Sequence, residues 1–154
     1  MITKIGSKGL ELIKGFEGFK GNPYLDSVGV PTIGYGATYY PGGKKVTMKD
    51  AHINESQASD LLSNMLGKFE SAVHSVVKTE INQNQFDALV SFVYNLGPGS
   101  LNTSTLLKKV NVDPNDPTIR AEFAKWVNAG GKPLPGLVRR RAAEADLYFT
   151  PIAV

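Results

Sequence analysis

Two carboxyls nine positions apart, Glu17 and Asp26, with the hydroxyl of Thr32 six further on, are the side chains here best suited to bond-breaking chemistry. Hydrolysis of a glycosidic bond needs such a pair. One carboxyl protonates the departing oxygen, while the other activates a water or attacks the anomeric carbon. Glu17 closes a short helical pattern, where the partial negative charge of the terminal carbonyls disfavours a carboxylate. That is an awkward position for a structural Glu and a suitable one for a group that must hold and deliver a proton. Asp26 follows Gly18, Gly21 and Pro23, which let the chain bend back so that the two acids can stand on opposite walls of a cleft. Thr32 opens the Thr32-Ile33-Gly34-Tyr35-Gly36 strand, and its hydroxyl is placed to help Asp26 hold a water. Either acid alone, among 14 Asp and Glu, would read as a solvated surface group, and Gly34 with Gly36 as a bent strand. The combination points to a site. The spacing leaves the stereochemistry open: a carboxyl separation of about 6.5–9.5 Å goes with inversion and about 5–5.5 Å with retention.

The elements that must position these groups are legible in outline. Ser7 is an N-cap candidate, and Leu10, Ile13 and Phe16 recur at helical spacing, so a helix is expected over 7–16, ended by glycines at 15, 18 and 21. From Pro23 to Val46 the composition turns to Gly, Pro, Tyr and β-branched residues, which predicts a two- or three-stranded antiparallel sheet. Asn54 with Gln57 three residues on has the form of a capping box, and Ala58, Leu61, Leu62, Met65, Phe69, Val73, Val76 and Val77 continue one long helix. Further helices are expected over 83–96, 103–110, 117–129 and 136–149. The fold class is α+β within a single domain: a small antiparallel sheet lobe (17–53), a connecting helix (54–78) and a larger helical lobe (1–16 and 79–154), with the ligand cleft between the lobes.

Around this constellation the sequence resembles the phage-type lysozymes, glycoside hydrolase family 24, the endolysins of tailed bacteriophages. The likeness rests on the spacing of Glu17, Asp26 and Thr32, on Ser91-Phe92-Val93-Tyr94-Asn95-Leu96-Gly97 with Ser104-Thr105-Leu106-Leu107, on Trp126-Val127-Asn128-Ala129-Gly130-Gly131, and on Leu134-Pro135-Gly136-Leu137-Val138-Arg139-Arg140-Arg141 with Glu144. It implies a lysozyme-like fold and N-acetylmuramidase activity on the β-1,4 bond between N-acetylmuramic acid and N-acetylglucosamine of peptidoglycan. By resemblance Glu17 is the acid, Asp26 the base that positions water and Thr32 its assistant, with inversion and no cofactor. Ala37 stands where many relatives carry His, which bears on a packing contact and leaves the chemistry in place.

Tyr24, Tyr35 and Asn95 are candidate groove residues, since amphipathic rings and amides suit sugar faces and acetamido groups; a core role serves the tyrosines equally. Arg140 and Arg141 are candidates for orienting Glu17 and binding substrate, although an Arg run on a helix is as often structurally paired. Trp126 reads as core. His52 and His74 lack a third ligand at metal-binding spacing, so no metal site is expected.

The 154 residues, 42% hydrophobic and 20% charged, describe an ordinary globular domain. The absence of Cys excludes disulfides and thiolate zinc sites. A formal charge of +3 and a pI near 9.1 suit a polyanionic partner such as a cell wall, while basic clusters such as Lys44-Lys45 and Arg139-Arg140-Arg141 are too slight to indicate nucleic acid. With neither a signal peptide nor a membrane span read in the sequence, a monomer held in the host bacterial cytoplasm is expected. The resemblance implies that a holin-like membrane-permeabilising protein then releases it to the wall. Two rivals keep the resemblance but change the function: a lytic transglycosylase, which needs no equivalent of Asp26 and Thr32, and a noncatalytic wall-binding protein.

Overall fold

Asn54 and Gln57 exchange hydrogen bonds, the Asn54 N–H donating to Gln57 Oε1 at 2.9 Å and the Gln57 N–H to Asn54 Oδ1 at 2.8 Å, and the long helix begins at the next residue after Asn54. The capping box expected there is formed. A computed structural model describes residues 2–152. Its elements are α1 (Ser7–Glu17), β1 (Lys20–Leu25), β2 (Pro31–Gly34), α2 (Glu55–Val76), α3 (Gln83–Leu96), α4 (Pro98–Asn102), α5 (Thr105–Val112), α6 (Ile119–Ala124), β3 (Asn128–Ala129), β4 (Lys132–Pro133) and α7 (Pro135–Tyr148). The chain is α+β, and it divides into two compact units, Ile13–Lys68 and Met1–Leu12 with Phe69–Val154.

The smaller unit extends beyond the 17–53 lobe expected from the sequence because its core recruits helix. Ile33, Ala37, Val46 and Leu61 are buried together, with Tyr40, Ile53 and Met65 packed against them, so the first turns of α2 belong to this core. Ala37, which replaces the common His, is 2% exposed inside this apolar cluster, where a small side chain fits without a polar partner. β1 and β2 pair antiparallel, with Tyr24 opposite Thr32 and Leu25 opposite Pro31. Of the two or three strands expected, this sheet has two, and among the described residues isolated bridges follow, Ile33 to Ala37 and Tyr39 to Lys45. Gly36, Gly42 and Gly43 have φ of 92°, 96° and 92°, conformations that interrupt a ladder. The segment after β2 is pinned by Asp50, which accepts from Tyr40 Oη (2.6 Å), the Thr47 N–H (2.9 Å) and Thr47 Oγ1 (2.7 Å).

The helical unit is organised on α3, whose residues from Asn84 to Val93 are all buried. Asn82 and Gln85 cap it reciprocally, as in α2. Phe92 meets Phe123 and Trp126 edge to face, with ring centroids 5.9 and 5.5 Å apart, and Tyr148 stands 5.7 Å from Phe123. The carboxylate of Asp87, on the buried face of α3, accepts the N–H groups of Gly6 (3.0 Å) and Gly9 (3.2 Å) and the side-chain amide of Gln83 (2.7 Å). It thereby caps the start of α1 from a distant part of the chain, satisfying donors that no helix can satisfy for itself. A Cβ at Gly9 would lie 2.7 Å from the Asp87 Cβ, so the close approach requires glycine.

Two expectations change in detail. The helix expected over 103–110 is α5, preceded by the short α4. The helix expected over 117–129 stops at Ala124. Beyond it a two-residue hairpin, β3–β4, turns on Gly130 and Gly131, both at positive φ (60° and 80°).

Asp87→Ala is expected to lower the unfolding free energy by about 2–4 kcal/mol, because it strands buried N–H donors; urea titration measures this, and a change within error would show that the α1 cap carries no stability. Asp50, held down to about 2 by the Tyr40 hydroxyl first and then the two Thr47 donors, stabilises the fold above its ordinary value of 3.8. That contribution is lost as pH falls from 3.8 through about 2. Asp50→Asn should flatten this limb of the pH–stability curve relative to the parent protein.

Candidate active site

Glu17 is the last residue of α1 because Gly18 follows it at φ 74°, donating its N–H to the Lys14 carbonyl at 2.9 Å. The chain leaves the helix there and enters β1 two residues later, which keeps Glu17 beside the hairpin that carries the second acid. Its side chain is half-buried.

Asp26 stands directly after β1, at the head of the turn to β2. Its N–H donates to the Val30 carbonyl at 3.0 Å, and its own carbonyl accepts from the Gly29 N–H at 3.0 Å, with Gly29 at φ 85°. The turn then folds back onto the side chain: Oδ1 accepts from the N–H groups of Val28 (2.9 Å) and Val30 (2.8 Å). The second oxygen, Oδ2, makes no protein hydrogen bond among the described residues. One oxygen fixes the carboxylate and the other keeps its lone pairs for a ligand.

Thr32 is buried at 3% exposure, and its hydroxyl donates to the Val30 carbonyl at 2.9 Å, the same oxygen that takes the Asp26 N–H. Asp26, Val30 and Thr32 therefore form one hydrogen-bonded assembly. With its proton committed, the Thr32 oxygen faces any further neighbour as an acceptor. Across the ladder from Thr32 lies Tyr24, half-buried, whose phenol is raised above its ordinary value first by burial and then by the negative charges of Glu17 and Asp26.

Five of the candidate residues, Glu17, Tyr24, Asp26, Thr32 and Tyr35, thus belong to Ile13–Lys68. Tyr35 is mostly core, at 6% exposure, with the Phe19 ring 5.9 Å away. Asn95, Arg140 and Arg141 belong to the helical unit. There Arg141, 1% exposed, donates through Nη2 to Asn95 Oδ1, sits 3.1 Å from Glu144 Oε1 through Nη1 and lies over the Phe92 ring at 5.3 Å. Arg140, 4% exposed, meets Glu144 Oε2 at 3.4 Å and the Ser91 carbonyl at 3.4 Å, while Ser91 Oγ donates to Glu144 Oε2 at 2.6 Å. Both arginines share one buried carboxylate, which burial nonetheless holds above the usual range. This partner was within reach of sequence reasoning, since Glu144 lies three and four positions beyond the two arginines.

His52 Nδ1 lies 3.1 Å from Asn22 Oδ1, so this histidine is occupied in bracing β1. The Ile53 N–H donates to the Gly21 carbonyl at 2.9 Å, and a Cβ at Gly21 would come within 2.2 Å of the His52 ring. That contact explains one of the glycines the sequence showed only as a helix breaker. No group of three His, Asp or Glu side chains is gathered as a metal-ligand set among the described residues.

Residues 14–144 match the Phage lysozyme family. The chain is 40% identical over 150 residues to an endolysin of Bacillus phage B103, covering 95% of this chain and 54% of that protein, so it spans about half the length of this relative. It is 38% identical over 148 residues to an endolysin of Acyrthosiphon pisum secondary endosymbiont phage 1, covering 94% and 97% of the two chains. The solved endolysin of Escherichia coli O157:H7 phage FAHEc1 superposes with a TM-score of 0.86 at 39% identity, over 95% of this chain and 93% of that one. With its helix-end Glu17, turn-bound Asp26 and lysozyme-like α+β fold, the chain belongs to the phage lysozyme family.

Proposed function

We propose that this protein is an endolysin that hydrolyses the β-1,4 bond between N-acetylmuramic acid and N-acetylglucosamine in peptidoglycan, with inversion, using Glu17 as general acid and Asp26 as general base. Membership of the phage lysozyme family makes it a lysozyme-type glycoside hydrolase. The observation that carries the assignment of roles is the state of Asp26: Oδ1 is tied to two backbone N–H groups, and Oδ2 is open.

A water donating one hydrogen to Asp26 Oδ2 and the other to Thr32 Oγ1 would direct its lone pair away from both, toward an anomeric carbon. As the C–O bond breaks, Glu17 gives its proton to the departing sugar oxygen and Asp26 takes one from the attacking water, so protons balance across the step. Tyr24, in the field of both carboxyls, lines the same locality and offers an amphipathic ring to a pyranose face. Asn95 is a further subsite candidate as an exposed residue, whereas Arg140 and Arg141 are better suited by their burial to holding the helical unit. Release of the enzyme from the host cytoplasm by a holin-like partner belongs to the same proposal; no described helix is long and apolar enough to cross a membrane. Purified protein should then clear permeabilised cells and leave intact ones turbid.

Glu17→Gln keeps the shape but cannot donate the proton, and should cut lysis of permeabilised cells by roughly 10²–10⁴-fold with an unchanged melting curve. Lysis near the parent level would remove Glu17 from the role. Asp26→Asn should lose activity on a similar scale. New reducing ends of inverted configuration, seen by proton NMR of fresh digests, are expected. A 1,6-anhydro product would instead make the enzyme a transglycosylase, and wall binding without clearing would leave only a noncatalytic function.

A further inference from the structure

The proposed base creates a difficulty for the substrate just proposed. Strands that contain muramic acid carry carboxylates, either on the lactyl ether or on the attached peptide, and these are repelled by the ionised Asp26. Cations near the site would offset that repulsion, and the small unit supplies two. Lys14 lies three residues before Glu17, on the same face of α1, with its ammonium 5.6 Å from the centre of the Tyr35 ring. Lys20 begins β1 and holds its ammonium 5.5 Å from the centre of the Tyr24 ring, and Tyr24 stands opposite Thr32 across the ladder. Neither is ion-paired among the described residues, and Lys20 is exposed. A cation lodged over an aromatic face keeps its charge and its position without being neutralised.

We infer that Lys14 and Lys20 are specificity-determining residues that bind carboxylates of the glycan strand, so that the site selects an acidic, muramoyl-bearing polymer over a neutral one of the same backbone. This rests on the muramidase reading above. The net charge of +3 alone is too diffuse to choose a carboxylate on a particular sugar, whereas two ammonium groups resting on rings of the unit that carries the acids can do so.

The test compares three substrates: peptide-free muramoyl strands, the same strands with every carboxylate converted to the methylamide, and peptide-bearing strands. The parent protein, Lys14→Gln, Lys20→Gln and the double variant are assayed on each for kcat and KM, with melting curves recorded. Release of reducing ends by the parent is read first, and its absence overturns the muramidase reading together with this inference. Given cleavage, the parent should prefer the carboxylate form to the methylamide. The double variant should lower that preference roughly three- to tenfold, mainly through KM, as expected for two partly exposed ion pairs. The preference should shrink between about 0.02 and 0.3 M salt in the parent and change little in the double variant. Arginine at both positions should restore it. Loss on peptide-free strands assigns the carboxylate to the lactyl group, and loss confined to peptide-bearing strands assigns it to the peptide; either sustains the inference. An equal effect on the carboxylate and methylamide forms, or no effect on any of the three substrates, overturns it while leaving the muramidase reading intact.

Discussion

A carboxylate proposed to take a proton from water must be held still and yet keep an open lone pair, and the turn between β1 and β2 meets both demands through the backbone of Val30. Its carbonyl accepts the Asp26 N–H and the Thr32 hydroxyl, and its N–H donates to Asp26 Oδ1. The Asp26 carboxylate, the Thr32 hydroxyl and the hairpin register are therefore set by one residue's backbone. A longer or shorter turn would release all three together. Because these bonds are made by the backbone, they can be kept by many side chains at 28 and 30. The exposure of Val28 and Val30 agrees with that, for neither side chain is needed to fill a core.

The second acid is positioned by a different device. Glu17 needs no turn chemistry; it needs a helix that stops, and Gly18 stops it. A Cβ-bearing residue there would resist the left-handed conformation, so the end of α1 and the location of Glu17 depend on a glycine with no side chain to show. One acid is thus fixed by hydrogen bonds to its own oxygen, the other by where its helix ends.

What the sequence made legible follows from how local the determinants are. α3 runs over the span that its spacing predicts, because Asn82 and Gln85 write its start and Gly97 its end within a few residues. The helix stop, turn and strand that carry Glu17, Asp26 and Thr32 were legible for the same reason, since they lie close together in the chain. α4 was not, since five residues carry no period, and neither was the β3–β4 hairpin, although Gly130-Gly131 is a hairpin signal that a helical pattern obscured. Composition left two or three strands open, and the glycines after β2 decide for two by taking positive φ. The open oxygen of Asp26 lay beyond reach altogether, because it depends on which way the turn's N–H groups point. The cations Lys14 and Lys20 were passed over because nothing in spacing says that a lysine will settle on a ring.

The helical unit answers a separate question, how acids can be buried at all. Asp87 is surrounded by N–H donors from α1 and the Gln83 amide, and Glu144 by two guanidinium groups and the Ser91 hydroxyl. In both, burial outweighs these partners and holds the carboxyl above its usual range. Neither arrangement is therefore a strong source of stability relative to an apolar core of equal volume. What each supplies is direction. An apolar side chain at 87 could rest against the start of α1 in many rotations, but a carboxylate that must meet Gly6 and Gly9 together accepts one. In the same way, Glu144 allows Arg140 and Arg141 only those conformations that reach Ser91 and Asn95. The unit uses buried charge to select one packing of its helices, at a cost that its large aromatic core can carry.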